Sequence, residues 1–221
     1  MIRRPPRSTL SSSSAASDVY KRQLPIMEAF YTIQGVGFHK GSASYFIRTG
    51  GCDIGCHWCD VKESWDENSH PIISVEEIVK KSARFSDCVV VTGGEPLMWN
   101  MGPLTNLLHS KKLNVHLETS GAYSLTGNFD WICVSPKDQL YPNTKIKQRT
   151  GDELKCVYVG QSLSLYDEII SGFDHLFLQP CYMENESVEW NGRNFTHTES
   201  IVKDNPKWRL SLQTHKWMGI D

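Results

Sequence analysis

No run of apolar residues in this sequence is long enough to cross a bilayer: the longest, such as residues 88–91, falls far short of the roughly 20 that a spanning helix needs. A large excess of charge is missing as well. The formal net charge is −2, but residues 1–23 carry five Lys or Arg against one Asp, which leaves about −6 on the remainder. That mildly acidic remainder argues against duplex nucleic acid as a partner. Cysteine is present but not in disulfide order. Its number, seven, is odd, and Cys88, Cys133, Cys156 and Cys181 are scattered through apolar settings without the spacing of a secreted framework. A reducing cytoplasm fits this usage. There is no internal repeat and, past residue 23, no low-complexity tract. What is there suits one domain with a full core: 221 residues, 39% hydrophobic and 22% charged.

Residues 1–23, MIRRPPRSTLSSSSAASDVYKRQ, show no period that could bury a face and no apolar stretch of signal-peptide length. They read as a disordered leader that resembles translated sequencing-adapter sequence. Residues 24–221 are then expected to form the single folded domain.

Beyond the leader the pattern becomes regular. Residues 44–49 (SYFIRT) read as a strand entering a glycine- and cysteine-rich loop. Residues 74–85 (SVEEIVKKSARF) open with a Ser cap, place Glu at the third helical position and repeat apolar residues at helical spacing, which predicts a helix. The apolar run 88–92, closed by two glycines, reads as a buried parallel strand. A helix at 101–112, strands at 114–119, 129–136 and 154–159, a helix at 164–172 and strands at 175–180 and 208–215 continue the series. Strand and helix in rotation imply right-handed parallel β/α units. Ligands of such folds gather at the carboxyl ends of the strands. Five polar loops fall there: the cysteine loop, GGEP (93–96), ETSG (118–121), SPK (135–137) and Gln179-Pro180.

Cys52, Cys56 and Cys59 crowd into GGCDIGCHWCD (50–60) with no fourth cysteine nearby. A structural zinc site normally takes four protein ligands, so zinc requires His57 or His39 to complete the set. A catalytic disulfide needs only two cysteines. Three thiolates suit an iron–sulfur cluster that keeps one iron free of protein ligands. Spacing alone leaves the cluster, zinc and plain packing all open.

The C-x3-C-x2-C spacing, with GGEP after an apolar strand, resembles the radical S-adenosylmethionine (SAM) enzymes. MEAFYTIQGVGFHKGSASYFIRTGGC (27–52) and LSLQTHKWMGID (210–221) narrow this to a resemblance to the 7-carboxy-7-deazaguanine synthase family over about 24–221. The resemblance implies an α/β fold, an abbreviated and incomplete parallel (β/α) barrel. It implies a 4Fe-4S cluster on Cys52, Cys56 and Cys59, and SAM held by Gly93, Gly94, Glu95, Glu118, Ser120, Ser135, Lys137 and Gln179. The implied reaction contracts 6-carboxy-5,6,7,8-tetrahydropterin to 7-carboxy-7-deazaguanine with loss of ammonia, toward queuosine-type 7-deazapurines. Gln34, Arg48, Thr92, His215 and the terminal carboxylate at Asp221 would bind the pterin, and His215 and Asp60 would move protons. Mg2+ on Asp60, a flavodoxin or ferredoxin reductant, a homodimer and a cytoplasmic location complete the implied picture.

Two positions depart from the family pattern. Where the family reads Q-G-E-G, Val36 replaces the glutamate, removing an acceptor for the pterin edge that would contribute about 1.5–3 kcal/mol. Where many members read C-D-T, Val61 replaces the threonine that helps hold Mg2+. Two rival readings exist: an activating enzyme that places a radical on a partner protein's glycine, and a non-enzymatic zinc module on Cys52, Cys56, Cys59 and His57.

Overall fold

The computed structural model describes residues 22–137 and 145–220. Its frame is one sheet. Strand β1 (Gln23–Ile33) pairs antiparallel with β2 (Ala43–Thr49) and with β3 (Ile72–Ser74). From β2 onward the pairing is parallel, through β4 (Cys88–Gly93), β5 (Asn114–Thr119), β6 (Trp131–Val134), β7 (Gly151–Tyr158), β8 (Phe173–Pro180) and the short β9 (Arg209–Leu210). The order is β3-β1-β2-β4-β5-β6-β7-β8-β9, and among the described residues the two edge strands, β3 and β9, do not pair. The sheet is therefore the incomplete barrel expected from the sequence.

Period-two alternation explains why the strands bury both faces. Val89 and Val91 of β4, Val115 and Leu117 of β5, and Ile47 of β2 are fully buried against helices α1 (Val75–Ser82) and α2 (Gly102–Ser110), in a core that includes Ile78, Val79, Leu104 and Leu108. A second core gathers Leu154 and Cys156 of β7 and Leu178 of β8 around Tyr166, Ile169 and Trp208. The alternate positions on β5, β7 and β8 are His116, Glu118, Glu153, Lys155 and Gln179. Polar side chains therefore share the other face of the sheet, and three of them, Glu153, Lys155 and Gln179, are buried.

Helix α1 starts where its cap predicts, with the Ser74 Oγ accepting the Glu77 amide at 3.2 Å. Other expectations change. The strand that opens the domain begins at Gln23, and Arg22 pairs with Glu76 at 3.0 Å, so the ordered chain reaches into the segment read as leader; residues 1–21 lie outside the described residues. The helix expected at 164–172 is two 3-10 turns, Leu163–Tyr166 and Ile170–Gly172, which turn the buried Tyr166 and Ile169 into the second core. The strand expected at 208–215 stops at Leu210, because the chain turns away to dock Thr214 and forms helix α4 (Thr214–Met218). The longest helix, α3 (Val188–Asp204), escapes sequence reading: it holds Gly192, and its only buried side chain is Thr198.

Candidate active site

The two glycines at the end of β4, Gly93 and Gly94, make the first contact of the site. A Cβ on Gly94 would lie 2.2 Å from the Gly51 carbonyl oxygen and 2.9 Å from the Cys52 Cβ, and one on Gly93 would lie 2.3 Å from the Thr49 amide nitrogen. The Gly94 amide donates to the Thr49 carbonyl at 2.9 Å and the Glu95 amide to the Gly51 carbonyl at 2.8 Å. Glycine is thus required because two backbones meet there, which presses the GGEP turn onto the root of the cysteine loop.

That loop is pinned at several points. The Trp99 indole donates to the Gly50 carbonyl at 2.9 Å, the Cys52 amide to the Trp65 carbonyl at 3.1 Å, and the Tyr123 hydroxyl to Asp53 at 2.6 Å. The hydrogen bond to Asp53 pushes the Tyr123 phenol up to about 12, so it remains a donor. Tyr123, Trp99 and Asp53 carry no motif signal and were not anticipated.

All five polar loops meet in one cavity of about 220 Å³. Cys52, Cys56 and Cys59 line one side, Gly93, Gly94 and Glu95 another, and Glu118, Ser120, Ser135, Lys137 and Gln179 the rest. The three thiols are free. Burial pushes the Cys52 thiol up to about 11 and raises Cys56, so each is neutral until a metal replaces its proton. Among the described residues no three His, Cys, Asp or Glu side chains are placed to hold a single metal ion.

Side-chain chemistry refines the expected SAM contacts. Glu95 is 1% exposed and its carboxylate is fully engaged: Oε1 accepts from Thr119 Oγ1 at 2.6 Å and the Leu97 amide at 3.0 Å, and Oε2 from the Ser120 amide at 2.8 Å and Ser120 Oγ. Glu95 and Ser120 are therefore bonded to each other, and Glu95 works by holding the ETSG loop against the GGEP turn. Lys137 Nζ donates to the Ser135 carbonyl and to Ser135 Oγ, the latter at 2.7 Å, and its burial lowers its pKa. Glu118 accepts from Lys155 Nζ through both carboxylate oxygens, at 2.7 and 2.8 Å. Burial alone would lower the Lys155 pKa, but Cys133, Glu118 and Glu153 outweigh it and raise it. This buried acid–lysine group was not foreseen; the E-x-K alternation on β7 was its available signal.

The expected pterin residues lie around the β1–β2 hairpin. Arg48 and Thr92 are register partners on β2 and β4. Arg48 donates through Nε to Glu28 at 2.6 Å, which leaves its Nη1–Nη2 edge for an incoming carboxylate. Gln34 is buried and donates to Ser44 Oγ at 2.9 Å. The next residue, Gly35, accepts through its carbonyl from the Thr214 amide at 3.0 Å and Thr214 Oγ1 at 2.9 Å, which brings His215 against the hairpin loop. Burial, then Lys216, lowers the His215 pKa and favours the neutral imidazole. Val36 is half-buried, and the buried carboxylate that meets that loop is Glu153 of β7, which accepts the Phe38 amide at 3.1 Å through Oε2; its Oε1 meets no partner among the described residues. Asp60 forms an ion pair with Lys216 at 3.2 Å. Asp221 lies outside the described residues.

Comparison with known proteins identifies relatives over most of the chain. The model of the Radical SAM superfamily matches residues 46–126. The chain is 45% identical to a 7-carboxy-7-deazaguanine synthase of Flavobacterium psychrophilum over 201 residues, covering 89% of this chain and 92% of that one. It is 40% identical to the enzyme of the same name from a Synechocystis species, covering 95% of this chain and 99% of that one. Among solved structures it resembles the crystal structure of QueE from Escherichia coli, with a TM-score of 0.74 and 26% identity over 91% of this chain and 99% of that one.

Proposed function

Because the chain belongs to the 7-carboxy-7-deazaguanine synthase family of the radical SAM superfamily, we propose that it contracts 6-carboxy-5,6,7,8-tetrahydropterin to 7-carboxy-7-deazaguanine with loss of ammonia, in the biosynthesis of queuosine-type 7-deazapurines. One observation carries the reading. Loops from five strand ends, remote in sequence, bring three thiols, a glycine turn and the Glu118, Ser135, Lys137 and Gln179 side chains into one cavity.

Cys52, Cys56 and Cys59 would hold the 4Fe-4S cluster, and the glycine turn with Glu118, Ser120, Ser135, Lys137 and Gln179 would hold SAM. Together the two groups supply one-electron reduction and hydrogen-atom abstraction when bound. The chain's own residues bind, orient and move protons. Arg48 presents a planar fork to the substrate carboxylate, and Gln34 and Thr92 flank it. His215, neutral near pH 7 because it is desolvated, accepts a proton during ammonia loss and rearomatisation. Asp60, held by Lys216, is the second proton-handling group. The Glu118–Lys155 pair, whose lysine is buried, keeps the polar floor of the site charged.

Magnesium fits this chain poorly. Val61 offers no side-chain oxygen, and its carbonyl already accepts from the Ser64 amide at 3.1 Å and Ser64 Oγ at 2.7 Å. We further propose a flavodoxin or ferredoxin as reductant, a homodimeric assembly and a cytoplasmic location. The deciding experiment reconstitutes the cluster anaerobically and incubates the protein with SAM, reductant and the carboxylated tetrahydropterin. A deazapurine absorbance with release of ammonia is expected, and iron-replete protein that yields neither overturns the proposal.

A further inference from the structure

The Asp60 carboxylate, where a divalent cation would have to bind, is already matched by an ammonium. Lys216 Nζ stands 3.2 Å from Asp60 Oδ2 and 4.9 Å from the centre of the Tyr182 ring, with its side chain 19% exposed. Nζ is itself buried, and no acceptor meets it at hydrogen-bonding geometry among the described residues. The ammonium therefore keeps donor capacity beyond its ion pair. Its position is not accidental to the site: it follows His215 on α4, the helix whose first residue, Thr214, is bonded to the Gly35 carbonyl.

A magnesium ion needs hard oxygens at about 2.1 Å in octahedral array. Here the one carboxylate is shared with a cation, and position 61 adds no ligand. A dication beside a fixed ammonium would also meet direct repulsion. We infer that Lys216 takes the place of the divalent cation in this chain, as a positioning residue whose ammonium neutralises and holds Asp60 and makes turnover independent of Mg2+. The inference rests on the pterin reading for the turnover that is measured.

The test uses cluster-reconstituted full-length protein, with Mn2+ as a spectroscopic probe and Mg2+ in turnover. For the wild type, the free Mn2+ resonance should persist with and without the carboxylated tetrahydropterin, and turnover should change less than about twofold between chelator and millimolar Mg2+. Lys216→Met leaves Asp60 unpaired; it should bind Mn2+ at least about tenfold more tightly and lose activity in chelator that Mg2+ partly restores. Lys216→Arg, which keeps the charge, should stay indifferent to Mg2+. Substrate-dependent capture of Mn2+ by the wild type overturns the inference, as does a Lys216→Met protein that matches the wild type in chelator. Should the protein fail to turn over the pterin at all, the proposed function falls, while the Mn2+ measurement still decides the question of the cation.

Discussion

Gly35 and His215 are packed so closely that a Cβ at position 35 would lie 2.0 Å from the His215 Nδ1. The contact joins the β1–β2 hairpin to the last helix, and it depends on glycine for space, not for a left-handed backbone. Gly35→Ala should displace the imidazole together with the helix turn that carries it, since the new Cβ would also lie 2.7 Å from the His215 Cβ. Because a displacement of about 1 Å at a reacting group costs on the order of 100-fold, kcat/KM should fall by roughly that factor. The melting temperature should move only a few degrees. A Gly35→Ala protein with unaltered kinetics would remove His215 from the site.

Gly94→Ala meets backbone instead of a mobile ring, since the new Cβ would lie 2.2 Å from the Gly51 carbonyl oxygen. The strand end and the cysteine loop must separate. A loss of about 1–3 kcal/mol in urea unfolding is expected, as for overpacked cores. Iron content after reconstitution should fall in parallel, because the displaced segment carries Cys52.

Lys155 is buried between acids and gives both oxygens of Glu118 a hydrogen bond. Lys155→Met removes the cation and strands the carboxylates, which should cost about 3–5 kcal/mol. Adding Glu118→Gln should recover part of that loss in denaturant titration, since the stranded charge is then gone. No recovery would show that packing, not charge, sets the cost.

Acid should loosen the amino-terminal end of the barrel. The rings of His39 and His116 lie 4.5 Å apart, and burial lowers both, His116 to about 4. A histidine depressed in the fold binds fewer protons than in the unfolded chain, so stability rises with pH across the interval. The contribution is complete above the ordinary value of 6.5 and is lost progressively as pH falls toward about 4. His116→Phe should flatten the unfolding midpoint between pH 6.5 and 4, and an unchanged slope would assign the acid sensitivity elsewhere.

Legibility in the sequence followed range. The Ser74 cap, the apolar strand 88–92, the glycine turn and the cysteine triplet are local patterns, and each is found where its spacing puts it. The 3-10 turns around Tyr166 and the short β9 depart from the local pattern, because burial of Tyr166, Ile169 and Trp208 in the second core overrides local propensity there. Helix α3 offers too few buried side chains to leave a period.

Residue types and their short spacings settled in advance which chemistry was on offer: three thiolates, a turn free of side chains and a ring of polar loops after strands. What they could not settle is which side chains meet. The Thr214–Gly35 contact spans 179 residues, Lys155 reaches Glu118 across 37, and the Asp60–Lys216 pair forms only once the last helix folds back onto the hairpin. Such pairings follow from curling the sheet around a polar interior, where burial favours the pairing of polar groups, and no local pattern carries that information.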